Sequence, residues 1–133
     1  MKSRAKKLTP ADVHRFEKHE AQLQGLYAEI DQLAKKRPND AVNKFKLRLF
    51  NQVLDLGNEI LTDQYKPFSD FSQFDEDELP SNSDVALMLS QYLISLDNLR
   101  SDNVENDDDQ WQWVVTGDVP IPTRQPRKYR NNL

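Results

Sequence analysis

Asn39 to Leu61 reads NDAVNKFKLRLFNQVLDLGNEIL, and its two apolar stripes decide how the rest of the chain is arranged. Val42, Phe45, Leu49, Val53, Leu56 and Ile60 recur at the three-or-four spacing of one helical face, and Leu47, Phe50, Leu54 and Leu61 form a second stripe beside it. A helix apolar over so wide an arc needs covering from two directions, while Lys44, Lys46, Arg48 and Asp55 keep one side polar. The stretch therefore reads as the middle element of a small helical bundle. Phe45, Leu49, Phe50, Val53 and Leu56 are expected in its core, together with Tyr92 and Leu96 of a later helix.

Upstream, Thr9-Pro10 gives a helix start with a mechanism: the threonine hydroxyl caps a free amide, and proline sits where its missing N–H costs nothing. From there to Lys36 the apolar residues hold a seven-residue repeat, with Phe16, Leu23 and Ile30 at one position and His19, Leu26 and Leu33 at another. Gly25 lies inside this helix, a place expected for a close helix crossing. Lys35, Lys36 and Arg37 suit the negative end of the helix dipole, Pro38 ends the helix, and Asn39 is expected to cap the next one. So short a link predicts an antiparallel hairpin, leaving the second stripe of the middle helix for another partner.

Downstream, the helical pattern breaks at Thr62-Asp63. Tyr65, Phe68, Phe71 and Phe74 then recur every three residues, which predicts a short helix or a strapped loop pressing rings onto the bundle. The acidic run from Asp75 to Glu78 is expected to be solvated. A third helix from near Ser83 buries Val85, Met88, Leu89, Tyr92, Leu93, Leu96 and Leu99, with Leu87 and Ile94 on an outward face. After Ser101-Asp102-Asn103 comes an acidic linker, then Trp111-Gln112-Trp113-Val114-Val115 with the two-residue period of a strand. Thr116-Gly117-Asp118 reads as a turn, and Pro120 and Pro122 restrict the returning strand to an edge.

The fold expected is mainly α: a three-helix bundle built on a long helical hairpin, with an extended C-terminal arm. Residues 1–8 form a basic lead, 9–103 the helical domain, and 104–133 the acidic linker, the Trp-containing arm and a basic tail expected to be disordered when the protein is alone. At 133 residues this is the size of one ordinary domain.

The net charge of -4 hides a strong asymmetry. Residues 1–48 hold 12 Lys or Arg against 6 Asp or Glu, residues 49–123 hold 2 against 16, and residues 124–133 add four cations. Either the basic ends neutralise the acidic middle within the fold, or the two regions face different partners.

Little in the chain supports chemistry. His14 and His19 are five apart and point to different faces, so they do not chelate one ion. His19-Glu20 lacks the second histidine of a zinc-protease helix, and His19 reads as a packed polar residue. The acidic clusters lack the spaced ligands of a calcium loop, the three glycines form no phosphate cradle, and no cysteine is present. No enzyme, metal or cofactor is expected. The basic N-terminus has no apolar run behind it and no span reaches transmembrane length, so no membrane is expected and a cytoplasmic setting is.

The expected function is that of a non-enzymatic helical interaction protein, an accessory or adaptor subunit of a larger assembly. Its partner is another protein, met through Trp111, Trp113, Val115 and Ile121, aromatic and apolar anchors on an extended arm, unless the two indole rings fold back to seal the bundle, the alternative the sequence leaves open. The alternative is nucleic-acid binding through the basic ends, with Lys2, Arg4, Lys6, Lys7, Arg124, Arg127, Lys128 and Arg130 on phosphates. No pattern fixes an oligomeric state.

Overall fold

The computed structural model describes residues 7–117 and 119–127. They form three helices, α1 (Pro10–Lys36), α2 (Lys44–Tyr65) and α3 (Asn82–Asp102), followed by three short strands, β1 (Val104–Asp107), β2 (Gln110–Trp113) and β3 (Ile121–Pro122). The architecture is mainly helical, a bundle with a small antiparallel sheet in its C-terminal arm. α1 begins on a capping box: the Thr9 hydroxyl accepts from the Asp12 amide, and the Asp12 carboxylate accepts from the Thr9 amide.

α2 starts at Lys44, and its N-cap, Asn43, lies four residues after the expected cap at Asn39. Two asparagines could cap this helix, and tertiary pairing selects the second. The Val42 amide donates to Pro80 O, and the Asn82 amide donates to Asp40 O. This holds residues 40–42 extended against the entry to α3.

Three sets of contacts fix the helix directions. Arg15 near the start of α1 meets Glu59 near the end of α2, so these two are antiparallel. Asn82 at the start of α3 donates to Arg37 O at the end of α1, and Tyr65 at the end of α2 donates to Asp102 at the end of α3. α3 therefore runs parallel to α2. Residues 66–81 must return the length of the bundle, which explains a connection long for so small a domain.

The return path is fastened to α2 rung by rung. Asn58 donates to Ser72 O, Asn51 both donates to and accepts from the Phe74 backbone, Arg48 pairs with Glu76, and Lys44 approaches Asp77. Phe71 and Phe74 stack edge to face and press on the core beside Tyr92, as a strapped loop should, whereas Phe68 turns outward. Part of the charge asymmetry is thus neutralised internally, between cations of α2 and the acidic run of the strap. Near its end α2 is broken at Thr62, where φ is 58° and ψ −177°. Such a conformation is costly for a β-branched residue.

The middle helix of the sequence is not the centre of the bundle. α1 and α3 are the closest-packed pair, and α3 carries the most buried face, including Val85, Leu89, Tyr92, Leu96 and Arg100. On α2 the second stripe, Leu47, Phe50, Leu54 and Leu61, is buried as a core stripe should be. The first is not: Val53 is buried and Leu56 and Ile60 are half-buried, but Leu49 is 38% and Phe45 71% exposed. The expectation that Phe45 and Leu49 lie in the core fails because α3, which touches both other helices, packs mainly on α1 and leaves these two positions uncovered, although Val42 at the start of the same stripe is buried. Gly25 faces open space, so no close crossing requires it.

In the arm the acidic segment is a strand and not a linker. β1 pairs antiparallel with β2 through the two-residue turn Asp108-Asp109, whose φ values of 55° and 66° are those of a tight hairpin turn, where aspartate is tolerated. β3 pairs with β2 on its other side, and its proline, Pro122, lies on the sheet edge. A further bridge joins Val115 to Leu8, tying the arm to the start of the chain.

Candidate functional site

Two places stand out from ordinary bundle packing: an ionic cluster inside the molecule and an apolar groove on its surface. The cluster is centred on Arg100, whose side chain is 1% exposed. Its guanidinium donates to both Glu20 oxygens at 2.7 and 2.9 Å, to Glu17, and through Nε to the Thr123 hydroxyl at 3.2 Å. The rings of Phe16 and Trp113, edge to face at 5.1 Å, flank it with their centroids 5.1 and 5.4 Å from Cζ. Burial works against the Glu20 carboxylate, but hydrogen bonds and charge from Arg100 and Arg124 outweigh it and hold this carboxyl below the usual range.

Arg124 is the second cation of the cluster. It donates to Glu20 at 2.7 Å and lies 3.8 Å from Asp97, which also accepts from the Arg127 amide. With Pro126 buried beside them, residues 123–127 are held against α1 and α3, and the part of the tail that is described is not disordered. The arrangement can do structural work: it fastens the arm to the bundle through paired charges, with Arg124 Nη1 left without a hydrogen bond.

His19 sits deeper in the α1 seam, 1% exposed, with neither ring nitrogen hydrogen-bonded. Burial and the Arg15 cation push its pKa down to about 4, with Glu20 pulling the other way, so the ring is neutral near pH 7. Gly57 makes room for it, since a Cβ there would stand 3.0 Å from Nε2. Nearby Tyr92 donates to Asn58 at 2.5 Å, and burial raises its hydroxyl to about 12.

The residues expected to meet a partner are dispersed. Trp113 is 1% exposed, its indole N–H 3.4 Å from Glu17, and Val115 is 8% exposed, so both are part of the core. Trp111 and Ile121 are half-buried on the sheet. Of the phosphate-binding candidates, Arg124 gives its charge to Glu20 and Asp97, whereas Lys7 and Arg127 are exposed. Lys2, Arg4, Lys6, Lys128 and Arg130 lie outside the described residues.

The surface that sequence reasoning missed is a groove of about 250 Å3 between α1 and α2. Leu26, Ile30 and Leu33 form one wall, Phe45, Leu49 and Phe50 the other, with Glu29 and Lys46 also lining it. It exists because the first stripe of α2 has no third helix to cover it. A separate outward stripe on α3 exposes Leu87 by 61% and Ile94 by 54%, as their spacing predicts.

Among the described residues no group of three or more His, Cys, Asp or Glu is placed to hold a metal ion, and no helix is long and apolar enough to cross a membrane. No family model matches the chain, and no curated protein or solved structure matches it.

Proposed function

We propose that this chain is a non-enzymatic interaction protein, an accessory or adaptor subunit of a larger assembly in the cytoplasm, and that it engages other protein through the α1–α2 groove. One observation carries this reading: Phe45 is 71% exposed beside an open apolar slot, in a molecule whose other large aromatic and aliphatic side chains mostly find cover. Exposed apolar surface of this kind on a polar chain is characteristic of binding faces. The Leu87–Ile94 stripe on α3 supplies a second face, as an adaptor needs. The lack of cysteine suits a reducing compartment.

Affinity purification of the tagged chain tests this, with Phe45→Glu as the matched control. A specific polypeptide held by the wild type and lost by Phe45→Glu, at unchanged melting temperature, is the expected result. Equal recovery with both baits would mean that the groove holds no foreign polypeptide.

A further inference from the structure

We infer that the α1–α2 groove is a self-docking site, in which two copies of this chain meet about a two-fold axis and each places Phe45 in the other's slot. This rests on the reading of the groove as a binding face and names its occupant.

The first argument is shape. The same patch carries a projecting ring and an open apolar slot, and a two-fold interface requires that kind of self-complementarity. An apolar cavity of about 150 Å3 accommodates benzene. The groove, at about 250 Å3, has room for a phenyl ring.

The second argument is charge. Of the neighbouring cations, Lys44 pairs with Asp77, Arg48 with Glu76, Lys35 with Asp31 and Arg37 with Asp40, while Lys36 at the end of α1 forms no ion pair among the described residues. Glu29 on the α1 wall and Lys46 on the α2 wall both line the groove, and neither forms an ion pair among the described residues. One acid and one base give a neutral rim, which offers little attraction to a strongly charged partner but complements a copy of itself. Phe45 and Lys46 both line the α2 wall, so the copy that places its ring in the partner's slot turns its Lys46 ammonium toward the partner's Glu29.

Sedimentation velocity on the full chain over a concentration series tests the inference. The wild type should pass from monomer to dimer, and Phe45→Glu should weaken self-association by at least about tenfold with an unchanged far-ultraviolet circular dichroism spectrum. If Phe45→Glu does not fold, Phe45→Ser serves the same purpose. Glu29→Lys or Lys46→Glu alone should weaken the dimer, and the two together should restore it, because the swapped charges again face each other across the axis. A wild type that stays monomeric throughout overturns the inference, as does a dimer that survives Phe45→Glu or a double swap that restores nothing. A monomer that still holds a foreign polypeptide through Phe45 overturns self-docking and leaves the interaction reading standing; a monomer that holds nothing removes both.

Discussion

Arg100 and Glu20 lie 80 positions apart and share two hydrogen bonds in the interior, joining α3 to α1 at the point where the C-terminal arm closes over both. Each side chain is nearly inaccessible, so each is the other's replacement for water.

Arg100→Met should therefore cost about 3–5 kcal/mol, because Glu17 and Glu20 would keep their charges with much of the compensation removed. Urea unfolding measures this. A loss below about 1 kcal/mol would mean that the cluster is dispensable.

Acid should destabilise the protein through His19 before most carboxylates respond. The unfolded ring takes up its proton near pH 6.5, whereas the folded ring resists until about 4. The contribution is thus complete above pH 6.5 and is lost as pH falls through about 4, amounting to ~3 kcal/mol. Glu20, whose carboxyl is held below its ordinary value of 4.5, adds a loss of the same sign as pH falls below that value. In His19→Leu the slope between pH 6.5 and 4 should flatten, which denaturant melts across that range would show; an unchanged slope assigns it elsewhere.

The two helical glycines should respond oppositely to alanine. A methyl added at Gly25 would meet nothing within 4 Å, so Gly25→Ala should stabilise by about 0.5–1 kcal/mol. Gly57→Ala drives a methyl to 3.0 Å from the buried His19 ring and should destabilise by roughly 1–3 kcal/mol. Thermal melts of the two variants decide the matter by their signs.

Trp113→Ala should behave as a core truncation, costing about 3–5 kcal/mol and loosening the arm. Trp111→Ala, at a half-buried position, should cost clearly less. Chemical denaturation of both variants compares them, and equal losses would contradict the burial difference between these same-face residues of β2.

The first helix is legible to its ends because Thr9-Pro10 and Lys36-Arg37-Pro38 act locally, through capping, dipole and proline geometry. The start of α2 is not, since residues 80–82 choose between two equally good asparagines. Nor can periodicity say which stripe of α2 is covered; that depends on how α3, which touches both other helices, divides its packing between them. The ionic cluster leaves a faint trace. Arg100 is one of two cations among residues 49–123 and continues the apolar face of Leu89, Leu93 and Leu96, while Glu20 falls between Phe16 and Leu23. A charge on an apolar stripe points to a buried pair, but its partner lies too far along the chain for spacing to identify.

The parallel course of α2 and α3 carries a kinetic consequence. Helical bundles usually fold fast because neighbouring elements meet early, yet here the closest helix pair is α1 with α3, and the last latch joins Arg124 to Glu20 across 104 positions. Large loops must close before these contacts contribute. Stopped-flow refolding should thus be slower than the helix content suggests, and if the arm docks after the helices have met, Arg124→Ala should accelerate unfolding far more than it slows folding.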